Sequence, residues 1–85
     1  MSNQDMSNFS MMDLFRMEAD TQVAILNENI LVLENNPNSP AELESLMRAA
    51  HSLKGAARIV GLDAAVRVAH VMEDCFVWRR LDRSP

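Results

Sequence analysis

Tyrosine is absent from the 85 residues, and glycine (2), proline (3), cysteine (1) and tryptophan (1) are scarce. So few glycines and prolines, together with the absence of tyrosine, lean toward helix. A lone cysteine, Cys75, cannot form an internal disulfide, which suits a reducing compartment. No apolar run approaches the ~18 residues of a membrane span, and the Asn/Ser-rich start lacks a basic and apolar signal region. A cytoplasmic protein is the expectation. Bases are also scarce in the first half. Residues 1–45 hold eight acids against one base, Arg16, for a net −7, and residues 46–85 sum to +3. Anionic ligands should therefore meet the second half. Arg48, Lys54, Arg58 and Arg67 are spaced out and not interleaved with aromatics, so neither nucleic acid nor a membrane surface is indicated.

What is present is apolar periodicity. Nearly half the residues are apolar, enough for one modest core and one domain. Residues 1–9 carry no period and read as a flexible N-terminal tail. From Ser10, which with Asp13 resembles a capping box, Phe15, Ala19, Val23, Leu26, Ile30 and Leu33 recur at three and four, predicting a helix over about 10–34. Asn35-Asn36-Pro37-Asn38 should end it. Ser39-Pro40-Ala41-Glu42 combines a cap, a proline at the first helical position and a reach-back glutamate. The helix that follows, over about 40–60, carries Leu43, Leu46, Ala50, Leu53, Ala57 and Val60 on one stripe. Gly61 supplies a left-handed stop. Asp63 is a candidate cap for a third helix over about 63–79, with Val66, Ala69, Met72, Phe76 and Val77 on its core face, widened by Ala65 and Val68. Met11, Met12, Met17, Met47 and Met72 read as fillers of irregular core space.

These patterns predict an all-α fold, an antiparallel up-down bundle with a helical domain over 10–80 and a C-terminal tail over 81–85. Three helices leave one groove open where a closed bundle has a fourth helix. The expectation is that the fourth helix is missing or supplied by a partner, a homodimer being one way to cover the groove.

The segment that carries chemistry is Ala49-Ala50-His51-Ser52-Leu53-Lys54-Gly55-Ala56-Ala57-Arg58. His51 lies beside the apolar stripe of the second helix, with Lys54, Gly55 and Arg58 following on neighbouring turns. Glycine in mid-helix costs about 1 kcal/mol relative to alanine, and nothing in the pattern asks for a break. Helical side chains lean toward the N-terminus, so a larger residue at 55 would crowd the space over His51. An imidazole, with an ordinary pKa near ~6.5, offers a neutral ring nitrogen that can attack phosphorus without a separate base. Lys54 would offset the charge of a phosphoryl group. On the third helix His70 and Glu73 share a face, and an antiparallel neighbour can bring Glu73 against His51, where a carboxylate would fix the tautomer.

His51-Ser52-Leu53-Lys54-Gly55 resembles the HxxKG core of histidine phosphotransfer (HPt) domains. The stretch from Ala49 to Phe76 is similar to the N-terminal domain of chemotaxis-type (CheA-class) histidine kinases, in particular the Wsp-type surface-sensing branch. The resemblance implies His51 as phosphoacceptor, Lys54 as the phosphate-facing lysine, and His70 and Glu73 as the supporting pair. It further implies two partners, an ATP-binding kinase catalytic domain as donor and an aspartate of a response-regulator receiver domain as acceptor. Gly55, Arg58 and Arg48 are the candidate docking residues. Such a chain is a carrier and not an enzyme, and no nucleotide-binding loop, cofactor or metal site is called for. His51, His70, Glu73 and Cys75 include metal-ligand types, but the spacing is not that of a zinc site and Lys54 would oppose a cation. The bland readings are a solvated His70–Glu73 pair, an Arg58 placed only for the helix dipole, and an Arg48 that faces Glu44 or Glu42. The alternative function is a non-catalytic helical dimerisation or interaction module.

Overall fold

The computed structural model describes residues 3–37 and 39–81, with side chains from residue 10 onward. Three helices follow one another: α1 (Asn3–Asn35), α2 (Pro40–Ile59) and α3 (Asp63–Leu81). α1 begins seven residues ahead of Ser10. The predicted tail is helical from Asn3, and Ser10 lies in the helix interior, so it caps nothing. The first 36 residues contain neither proline nor glycine, and a helix once nucleated continues at little cost until a breaker is met. α3 likewise runs to Leu81, past the expected end at Arg79. Residues 82–85 of the expected C-terminal tail, and residues 1–2 of the N-terminal one, lie outside the described residues.

Both connections are tight. α1 ends where Asn36 donates to the Val32 carbonyl, and Ser39 then donates to the carbonyl of Asn36. Ser39 sits at the N-cap of α2 and Pro40 at the first helical position, as predicted. The Ser39 hydroxyl, however, donates to the Glu42 carboxylate and makes no bond to the helix backbone, and the Ser39 N–H goes to Asn36, so the two side chains meet but the capping box does not form. At the other end of α2, Gly61 has φ +74°, Leu62 donates to the Ala57 carbonyl at 2.9 Å and Gly61 to the Arg58 carbonyl at 3.1 Å. That pair of bonds is a Schellman stop, and it needs the left-handed residue that glycine adopts without a Cβ clash. Asp63 is not the cap of α3. The Leu62 carbonyl accepts the first helical bond, from Val66, and Asp63 opens the first turn, where its charge suits the helix dipole.

Short hairpin connections make each neighbouring pair antiparallel. α1 and α3 lie on either side of α2, and among the described residues their backbones make no close approach to each other. The molecule is a slab, 60 × 20 × 14 Å. α2 is the central element and supplies most of the core: Leu43, Leu46, Ala49, Ala50 and Ala57 are buried along it. Leu26 of α1 joins Leu46 and Ala49 in one cluster, against which Ile25, Leu33, Met72 and Phe76 pack. Buried alanines on α2, with Ala69 on α3, let the helices approach closely. The α1 stripe is rotated from the predicted one. Val23 and Ile30 are exposed, and Glu18, Gln22, Ile25 and Asn29 take the half-buried positions beside Phe15 and Leu26. Met11, Met12 and Met17 are also exposed, against the expectation that they fill the core.

Candidate functional site

α2 and α3 run side by side so that the middle of one faces the middle of the other. His51 and Lys54, one turn apart on α2, meet Glu73 of α3. His51 Nδ1 lies 2.9 Å from Glu73 Oε2, and Lys54 Nζ donates to Glu73 Oε1 at 2.7 Å. One carboxylate therefore spans both α2 residues.

Exposure divides the three. The His51 side chain is 69 % accessible, whereas Lys54 is 13 % and Glu73 21 % accessible. The hydrogen bond from Lys54 holds the Glu73 carboxyl below the ordinary carboxylate range; partial burial opposes that shift, and the bond with His51 adds to it. An ionised carboxylate only accepts hydrogen bonds, so the ring nitrogen facing it must carry the proton. In the neutral imidazole this geometry puts the proton on Nδ1, toward Glu73, and the lone pair on Nε2, away from it.

The Lys54 ammonium is turned inward onto Glu73 in this geometry, where a phosphate-facing lysine was expected. Its position explains this. Lys54 neighbours Leu53 and Ala57 on the half-buried side of α2, and a mostly buried ammonium takes the nearest carboxylate. His70 does not join the cluster. Its Nε2 lies 3.3 Å from Asp74 Oδ2 one turn along α3, with both side chains more than half exposed. Among the docking candidates, Arg48 pairs with Glu44 of its own helix and is exposed. Arg58 is exposed in the last turn of α2, where the dipole favours a cation. A Cβ built on Gly55 would meet nothing within 4 Å. The space beside this glycine is therefore open to solvent, and the fold itself does not need it empty. The Lys54–Glu73 bond is the feature sequence reasoning missed; the alternation of Leu53 and Ala57 around Lys54 was the signal that this side of the helix turns inward.

The model of the Hpt domain family matches residues 10–85. The chain belongs to the Hpt family. Among its relatives are chemotaxis proteins CheA. That of Borreliella burgdorferi is 36% identical over 72 residues, covering 85% of this chain and 8% of that protein. That of Rhizobium meliloti is 37% identical over 73 residues, 82% of this chain and 10% of that protein. That of Treponema pallidum is 37% identical over 70 residues, 82% of this chain and 9% of that protein. This Hpt domain thus spans about a tenth of the length of these relatives. No solved structure matches it. Membership makes the chain a histidine phosphotransfer module similar to a segment of these chemotaxis proteins.

Proposed function

We propose that His51 is the phosphoacceptor and that Nε2 is the reacting atom. The observation that carries this reading is the division of labour at the ring: Nδ1 is occupied by Glu73, and the rest of an exposed imidazole faces solvent. The Nε2 lone pair attacks the γ-phosphorus of ATP held by a kinase catalytic domain. An N–P bond forms, the bond from phosphorus to the ADP oxygen breaks, and ADP leaves. The Nδ1 proton stays between the ring and Glu73, so the positive charge gained by the ring is met by a carboxylate already in place. In the second transfer a receiver aspartate attacks the same phosphorus, the N–P bond breaks, and the ring returns to its neutral tautomer. Lys54 acts as a positioning residue that keeps Glu73 ionised. His70, which pairs with Asp74, carries no step.

Gly55, Arg58 and Arg48 lie on the exposed side of α2 near His51, and a partner that delivers or removes phosphate must approach over them. The exposed apolar surface described above keeps a second reading in play, in which the helices serve assembly alone. The two are separated by incubating the domain with its cognate kinase domain and radiolabelled ATP. Acid-labile label that disappears in His51→Gln supports phosphotransfer. Undiminished labelling of His51→Gln, or intact signalling by His51→Ala alongside loss of signalling on a polar change at Phe76, favours assembly.

A further inference from the structure

α3 carries two apolar faces, and the fold uses one. Ala65, Val66, Ala69, Met72, Phe76 and Val77 turn toward α2 and the core, buried or half-buried. Ala64, Val68, Val71, Cys75 and Trp78 form a second row at spacings of four, three, four and three, and all five are exposed; Val68 and Val71 are each 60% accessible and Trp78 73%. A surface helix normally shows polar residues on the side away from the core, whereas alternation of four and three is the spacing of a seam that packs against another helix. A shallow cleft lined by Val71, Asp74, Cys75, Trp78 and Arg79 follows this row.

The charges beside the row indicate what covers it. We infer that the outer face of α3 pairs with α3 of a second copy of this chain, antiparallel, about a two-fold axis level with Ala69 and His70. In that register Val68 lies opposite Val71 of the second copy, and Ala64 opposite Cys75, so every layer of the seam is apolar. Trp78 reaches past the start of the other α3 toward the turn at its Gly61. The flanking position before Val68 is Arg67 and the one before Cys75 is Asp74. The axis sets Arg67 of each copy against Asp74 of the other. A two-fold interface must be self-complementary, and this face is: an opposite-charge pair occurs twice, and no like charges are brought together at these flanks. Asp74 now meets His70 on its own helix, an exposed contact that competes weakly. At about 100° per residue, Glu73 lies on nearly the opposite side of α3 from the seam. Pairing therefore leaves His51 open, and the inference stands apart from the phosphotransfer reading.

Sedimentation equilibrium of the full chain over micromolar to submillimolar concentration is the test. The expected result is a monomer–dimer equilibrium. Arg67→Glu and Asp74→Arg should each raise the dissociation constant by roughly fivefold or more, since each places like charges together twice. Arg67→Asp combined with Asp74→Arg should restore association. Both positions are exposed, and unchanged helical circular dichroism would show that the variants still fold. A chain that stays monomeric over the whole range, or a dimer indifferent to these reversals, overturns the proposal.

Discussion

The hydrogen bond between His51 Nδ1 and Glu73 fixes which ring nitrogen is free, so single substitutions here report on mechanism. Glu73→Gln puts an amide where the carboxylate accepted. The amide can donate to the ring, the tautomer can then reverse, and Nε2 would carry the proton; the initial rate of labelling should fall by at least about tenfold while the domain stays folded. The acid behaviour follows from the lowered Glu73 pKa. A carboxyl held down in the folded state contributes stability that is fully present above its unfolded pKa and is lost as pH falls through the folded one. The destabilisation caused by Glu73→Gln, measured by urea unfolding, should therefore be present at neutral pH and vanish in strong acid. At Gly55 nothing crowds an added Cβ. Gly55→Ala should stabilise the helix by up to about 1 kcal/mol, whereas a bulky Gly55→Leu should leave the helix at least as stable and yet slow transfer from the kinase.

At the scale of the helix, α2 joins core and chemistry: one side is buried and the other presents His51. Leu46→Ala should cost about 2–5 kcal/mol in chemical unfolding, because the side chain is fully buried at the centre of the main cluster. α2 was also the element most legible in the sequence. Its apolar residues fall on one narrow stripe, and Ser39-Pro40 and Gly61 mark its ends. α1 was less legible for a physical reason. Its apolar side chains occur all round the helix, so periodicity could not say whether Val23 and Ile30 or Gln22 and Asn29 face α2, and packing turned the polar pair partly inward. The start of α1 was misplaced because residues 3–9 lack a period, although they also lack anything that stops a helix.

Across the whole molecule, the helical hairpins bring residue 51 and residue 73 together, and no local pattern in the sequence contained that contact. The HxxKG spacing and the antiparallel expectation nevertheless reached His51 and Glu73. The sequence did not reveal that Lys54 points at Glu73, because the direction of a flexible ammonium depends on burial set by both helices. Nor did it reveal that His70 stands apart with Asp74, a separation decided by rotation of α3 about its axis. Relatives about ten times as long place such a module within larger chemotaxis proteins, and the proposed role of His51 comes down to one ring nitrogen. The most direct test is phosphorus–nitrogen NMR of the domain after phosphorylation by its kinase. The account predicts a single adduct with phosphorus bonded to Nε2 of His51 and a proton retained on Nδ1. Phosphorus on Nδ1, or on any other side chain, would contradict it.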